Sequence, residues 1–386
     1  MTWLLRVPYA VLRLAKRTCS LFRQMGDRLF GAAISNIAFR DALLREFDGK
    51  ENFLANLKAG RAGAFFVDPD RRQEFTTTLG RLCPAAGGLV VRAADMACGH
   101  RFDLLGSGPV DLGPQIDWHV DFKSGFRWDP RTYHTDIRPA AFPGGYDLKV
   151  PWELSRSQHF AWLGQAYWFT GDEKYAREFR GQVEDWIDKN PCKYGVNWAC
   201  AMDVAIRAVN WLWGYAFFRT SPVLDDDFRL AFCRSLFYHG RHIRANLEKR
   251  PFKGNHYLSN LVGLTYLGFL LPDFKEARSW REFGLEELER EIFHQVDPDG
   301  FGFEASTSYH RLAAELFLSV TLLARRNGHR FSQGYMDRLE KMLELVFQIT
   351  RQDGTVPLIG DQDNGRLHRL KVWGAGSEEW RDFRSL

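Results

Sequence analysis

From Pro151 to Thr350 the sequence is a succession of long segments with helical apolar spacing, joined by short polar turns. That pattern constrains the fold more than any other feature. It predicts helices over Trp152–Phe169, Lys174–Lys189, Ala199–Phe218, Asp225–Glu248, His256–Leu271, Phe274–Gln295, Ser306–Asn327 and Gln333–Thr350. In the second, Tyr175, Phe179, Val183, Trp186 and Ile187 share one face; in the last, Met336, Leu339, Leu343, Val346 and Phe347 form the expected buried stripe. Thr170-Gly171-Asp172-Glu173 makes a turn. Joints of a few residues make neighbouring helices antiparallel. Such a run, with no strands between, is an α-bundle, an α-solenoid or a ring of helical hairpins. The sequence has no repeat of fixed length, which weakens the solenoid.

The rest of the chain reads differently. Residues 26–150 form a mixed lead-in punctuated by Gly87-Gly88, Gly106-Ser107-Gly108-Pro109, Gly113-Pro114 and Pro143-Gly144-Gly145. Within it Gly88–Arg92 reads as a short strand. No Rossmann or P-loop glycine pattern occurs. Residues 1–25 carry Arg6, Arg13, Lys16, Arg17 and Arg23, with apolar residues at helical spacing and no acid before Asp27. Charges interrupt the apolar run a signal peptide needs. A basic amphipathic helix is expected there, either on an anionic membrane surface or packed on the body of the protein. The expected organisation is residues 1–25, 26–150 and 151–386, the last two either separate or continuous as one domain.

With 386 residues the chain buries a large core without disulfides or metal. Its 45% hydrophobic and 26% charged residues exclude disorder. Fifty-two Lys and Arg against 48 Asp and Glu give +4, too balanced for a dedicated nucleic-acid binder. The six cysteines show no CxxC and no paired spacing, which argues against a disulfide framework and a zinc site. No apolar run approaches the ~18 residues that span a bilayer.

Several polar clusters fall at helix starts, where backbone N–H groups lack partners and anions are favoured. Gly254-Asn255-His256 opens one helix. Its Asn amide and helix N-terminus suit a carboxylate, and the adjacent His moves a proton near neutral pH; an Asn N-cap followed by a surface His is the plainer reading. Phe303 to Arg311 places Tyr309, His310 and Arg311 in three directions, so at most two face one cleft. Gly360-Asp361-Gln362-Asp363-Asn364-Gly365-Arg366 begins like a calcium loop, but Val372 stands where a bidentate Glu is needed. A turn whose carboxylates orient an Arg or a His fits better. Arg156, in Trp152–Arg156, and Arg207, after Asn197 and Asp203, suit an anionic sugar, or equally a buried pairing with acids between helices. His239-Gly240-Arg241-His242 lacks the Glu of HExxH and reads as a solvated face.

Taken in order, Trp152-Glu153-Leu154-Ser155-Arg156, Thr170–Ala176, Asp185-Trp186-Ile187 with Asn190-Pro191, Gly195-Val196-Asn197-Trp198, Gly254-Asn255-His256, Glu304 to His310 and Gly360-Asp361 to Arg366 resemble the heparinase II/III family of polysaccharide lyases, which includes oligo-alginate lyases. The resemblance covers roughly Phe102 to Leu370. It implies a mainly α fold, an incomplete (α/α) toroid of helical hairpins, and β-elimination at a uronate without cofactor or metal. By resemblance Asn255 grips the uronate carboxylate, while His256 and Tyr309 share the base and acid roles. Arg156, Asn197, Arg207, His310, Asp361 and Arg366 then bind or support the anionic chain. Family enzymes continue into a β-sandwich. This chain stops at Leu386, so that domain is expected to be absent, through truncation or in a toroid-only member. The family points to the periplasm or cell envelope; the poor signal peptide points to the cytoplasm.

Two other functions compete. An (α/α)-barrel glycoside hydrolase needs two opposed carboxylates, and Glu153, Asp203, Glu304 and Asp361 are available, though the sequence pairs none of them. A non-catalytic polysaccharide-binding or cell-surface assembly factor would attach through the basic first helix.

Overall fold

The computed structural model describes residues 50–60, 64–137, 145–249, 252–363 and 365–371; the amphipathic segment 1–25 lies outside them. The lead-in is more helical than its glycines imply. It holds α1 (Lys50–Ala59), α2 (Arg72–Leu82) and α3 (Ala86–Cys98). Two minimal antiparallel hairpins follow: β1 (Arg101–Phe102) with β2 (Val110–Asp111), in register Arg101 to Asp111, and β3 (Val120–Asp121) with β4 (Phe126–Arg127), in register Val120 to Arg127. The strand expected at Gly88–Arg92 is instead part of α3. Its short apolar run fits either structure taken alone. The buried series Val90, Ala94, Ala97 continues at helical spacing, and that decides for the helix.

Next come α4 (Lys149–Ser155), α5 (Phe160–Thr170), α6 (Lys174–Lys189), α7 (Ala201–Phe218), α8 (Asp226–Ala245), α9 (Asn255–Leu270), α10 (Ala277–Gln295), α11 (Thr307–Arg326) and α12 (Gln333–Ile349). The first expected helix, Trp152–Phe169, is therefore two. The chain breaks at Ser157, whose φ of 55° lies in the left-handed region. Its hydroxyl is held in place by donating to the Ser155 carbonyl and accepting from Trp211 Nε1 at 3.2 Å.

Successive helices pair as antiparallel hairpins: α5 with α6, α7 with α8, α9 with α10, α11 with α12. Alternate helices form an inner row, α3–α5–α7–α9–α11, while α6 packs on α8 and α10 on α12 outside it. This is the expected mainly α, incomplete (α/α) toroid. Composition explains which helix goes where. In α7 every residue but Ala216 is buried, and in α9 every residue but His256; a helix apolar all round must be enclosed all round. The outer α6 buries Tyr175, Phe179, Val183 and Trp186 along one stripe. Gly263 lets α9 approach α7, since a Cβ there would stand 2.7 Å from the Ala205 methyl. Gly171, at φ 74°, closes α5 and turns the chain into α6.

The stripe of α12 differs from expectation. Tyr335, Leu339, Met342 and Val346 are buried, while Phe347 is 83% exposed. His239 and His242 are buried on α8, not solvated. His239 Nε2 accepts from Arg207 Nε at 2.9 Å, and its Nδ1–H donates to the Ser235 carbonyl at 2.7 Å. Among the described residues no helix is long and apolar enough to cross a membrane.

Candidate active site

The start of α9 is built around a carboxylate. Asn255 donates its side-chain amide to Glu304 Oε2 at 2.8 Å, and its backbone N–H donates to Glu304 Oε1 at 3.3 Å. Glu304 thereby satisfies an orphan donor of the helix N-terminus, where the dipole favours negative charge. A Cβ at Gly254 would fall 2.1 Å from Glu304 Oε1, so any larger residue would have to displace this carboxylate. His256, the single residue of α9 that is not buried, turns Nδ1 toward Glu248 Oε1 at 3.0 Å. Burial lowers its pKa, but the hydrogen bond and charge of Glu248 outweigh that and raise it overall.

Tyr309 stands in the first turn of α11. Ser306 caps that helix by accepting from the Tyr309 N–H at 3.1 Å. The phenol donates to Asp363 Oδ2 at 3.4 Å, and Lys149 Nζ lies 3.4 Å from the same oxygen. Burial first, then the charges of Asp363 and Asp361, push the phenol up to about 12. It therefore stays protonated across the neutral range. The loop from Gly360 is docked on α11: Ser306 Oγ donates to the Asp361 carbonyl at 2.5 Å, and Ser308 Oγ donates to the Asp363 carbonyl. One carboxylate of this turn, Asp363, orients a Tyr and a Lys, where the sequence suggested an Arg or a His.

At the break between α4 and α5, Arg156 donates Nε to Asp203 Oδ1 at 2.7 Å and Nη1 to Glu153 Oε2 at 2.5 Å. Glu153 Oε1 in turn accepts from Arg369 at 3.0 Å. All four groups are buried. Electrostatically these elements are one cluster. Tyr309 feels Glu304, Arg156 feels Asp363, and His256 feels Asp203 and Arg156.

Several residues expected to bind substrate have their hydrogen-bond partners inside the protein. Arg207 is fully buried, donates Nη2 to the Asn197 carbonyl at 3.2 Å and stacks on Trp186 with 4.1 Å to the ring centre. Asn197 is fully buried and donates to the Trp118 carbonyl at 2.7 Å and to Asn190 Oδ1 at 2.9 Å. His310 is buried between the Gly302 N–H, which donates to its Nδ1, and the Met342 carbonyl, which accepts from its Nε2. Arg366 is buried as well. Arg156 takes the interhelical pairing that was the alternative to sugar binding. Asp361 is exposed, and its carbonyl anchors Ser306.

Glu248 and Cys200 were missed. Glu248 lies in the loop after α8, and its Oε2 accepts from the Met202 N–H at 2.7 Å and from Asn260 Nδ2 at 3.1 Å. Cys200, just before α7, places Sγ 3.5 Å from Glu248 Oε1 and 3.8 Å from His256 Nδ1. No spacing rule joins positions 200, 248 and 256. The one usable signal was an acidic residue shortly before a helix-opening His.

The fold has known counterparts. Residues 88–378 match the family model described as heparinase II/III N-terminus. A heparin-sulfate lyase of Pedobacter heparinus is 28% identical over 292 residues, 72% of this chain and 40% of the relative. One from Bacteroides stercoris is 31% identical over 237 residues, 56% of this chain and 35% of the relative. The solved heparan sulfate lyase HepC from Pedobacter heparinus superposes with a TM-score of 0.56 at 25% identity, covering 83% of this chain and 49% of that one. The chain thus spans less than half the length of these curated relatives and about half of that solved structure. Its matched stretch runs through every inner helix from α3 to α11, and the chain belongs to the heparinase II/III family by its N-terminal, helical part.

Proposed function

We propose that the chain supplies the toroid half of a polysaccharide lyase that cleaves a uronate-containing anionic glycan by β-elimination. The observation that carries this reading is the carboxylate already seated at the start of α9, where Glu304 engages both the amide and the N–H of Asn255. A site that holds one carboxylate there suits the carboxylate of a uronate. Neutralising that group is what makes the C5 proton removable, because charge develops on it in the transition state.

The remaining roles follow from proton inventory. A base takes the C5 proton, and the C5–H electron pair becomes the C4–C5 double bond. The bond from C4 to the leaving oxygen breaks, and that oxygen must receive a proton. Tyr309, protonated at neutral pH, suits the donor role. His256 faces Glu248 through Nδ1, which leaves Nε2 as its reacting nitrogen. The hydrolase alternative has less support. Glu153 and Asp203 are both locked on Arg156, so neither resembles the loosely held pair that flanks a glycosidic bond.

The test is ultraviolet absorbance of the unsaturated uronate formed on cleavage of alginate, heparan and glucuronan-type chains, with Asn255→Ala beside the wild type. The reading expects product from at least one chain, and turnover lower by about two to three orders of magnitude in the variant. Glycan binding without product on every chain would favour a binding or assembly role.

A further inference from the structure

We propose that Cys200, Glu248 and His256 form a binding site for a borderline-soft divalent cation of the zinc class, with three protein ligands and one position open toward the cleft. The argument is first geometric. Cys200 Sγ lies 3.8 Å from His256 Nδ1 and 3.5 Å from Glu248 Oε1, and those two atoms lie 3.0 Å apart. Around a tetrahedral zinc at ordinary bond lengths the sulfur–nitrogen and sulfur–oxygen edges are about 3.5 Å and the nitrogen–oxygen edge about 3.3 Å. The three donor atoms already stand within a few tenths of an ångström of that triangle.

The donors are also supported as metal ligands usually are. Glu248 is divided between two tasks: Oε2 is held by the Met202 N–H and the Asn260 amide, which leaves Oε1 facing the sulfur and the imidazole. Asn260 Oδ1 accepts from the Glu248 N–H at 2.9 Å, so the loop is locked from both sides. Such outer contacts fix ligand orientation and are worth about 10–100-fold in metal affinity. Cys200 is buried just before α7. Burial first, then the charges of Asp203 and Glu248, push its thiol pKa up, so it becomes a thiolate ligand only as a cation displaces its proton. His256 is half-exposed, which gives an ion an entry path.

A nucleophilic Cys–His–acid relay fits these atoms less well. In a relay the acid orients the imidazole through the nitrogen that does not face the thiol. Here Glu248 and Cys200 address the same nitrogen, Nδ1. Convergence of sulfur, oxygen and nitrogen on one point is what a cation requires. With a cation on Nδ1, Nε2 carries the ring proton, so in the loaded state His256 is a hydrogen-bond donor and not the base at C5, and the site presents that donor and a Lewis-acidic position beside Asn255. Either would suit an anionic ligand.

The experiment strips the full chain with a chelator and titrates it with Co2+ in the absence of glycan. The proposal expects saturation at a single equivalent, a near-ultraviolet thiolate-to-cobalt band with tetrahedral visible bands, and displacement by Zn2+ but not by Mg2+ or Ca2+. Cys200→Ser should abolish the near-ultraviolet band with unchanged helical circular dichroism. His256→Ala, at a half-exposed position, should weaken binding at least tenfold. Absence of the near-ultraviolet band overturns the proposal. So does a band that survives Cys200→Ser and is lost instead on replacing the exposed Cys83. Because no glycan is present, failure here leaves the lyase reading untouched, and failure of the lyase reading leaves this one standing.

Discussion

Asp203→Asn keeps the shape of the side chain and removes one charge from a buried group of four. Arg156 and Arg369 are matched by Glu153 and Asp203, and their side chains are 11%, 5%, 3% and 2% exposed. With Asp203 neutral, Arg156 shares Glu153 with Arg369, so two guanidinium groups depend on one carboxylate. Arg207, also buried, loses the same nearby charge. An uncompensated buried charge costs about 3–5 kcal/mol, which is two to nearly four powers of ten in the folding equilibrium. It is also a large share of the roughly 5–15 kcal/mol that holds a domain folded. Urea denaturation followed by far-ultraviolet circular dichroism measures it. The double variant Arg156→Met with Asp203→Leu removes both charges at once and should recover most of the loss, because replacing a buried pair by apolar groups is often neutral or better. A loss within about 0.5 kcal/mol for Asp203→Asn, the range of an ordinary surface change, would refute the claim that these charges depend on one another.

Three further outcomes follow from the same structure. Gly263→Val inserts a side chain where even a Cβ meets Ala205 at 2.7 Å, so the α7–α9 contact should weaken by about 1–3 kcal/mol in denaturation; no loss would mean the two helices are not in close contact. On α12, Leu339→Ala should cost about 2–5 kcal/mol and Phe347→Ala within about 0.5 kcal/mol, and the reverse order would restore the stripe read from sequence. The Glu178 hydrogen bond raises the pKa of His100 against the opposing effect of burial. That stabilisation is present in full below the ordinary value of about 6.5 and fades as pH rises through the higher folded-state value. His100→Gln should therefore flatten stability against pH just above that ordinary value, and an unchanged slope in denaturation midpoints would contradict it.

The helices were legible because amphipathic periodicity is set by the same contacts that bury them. Lys174–Lys189 is predicted and found with the same ends. What periodicity cannot see is a single backbone angle; the break at Ser157 falls within the polar run Ser155-Arg156-Ser157-Gln158-His159, which a continuous helix would also accommodate. The strand expected at Gly88–Arg92 failed because a short apolar run has no period of its own. At the site, motif order pointed to Asn255, His256 and Tyr309 but did not separate exposed polar groups from buried ones. Arg207, Asn197 and His310 are polar and fully or almost fully buried, and a buried polar group with its partners inside the protein carries the same letters as one that waits for substrate. Glu248 escaped notice because it acts across a loop, through distances that no linear spacing encodes.

The most direct test of the lyase account is Tyr309→Phe, assayed by ultraviolet absorbance of the unsaturated uronate alongside glycan binding. The ring keeps its packing and loses only the hydroxyl. The account predicts turnover lower by about two to four orders of magnitude, the usual worth of a positioned acid or base, with uronate binding largely retained because the carboxylate is gripped at Asn255. An active wild type with an undiminished Tyr309→Phe variant would contradict it and remove Tyr309 from the chemistry.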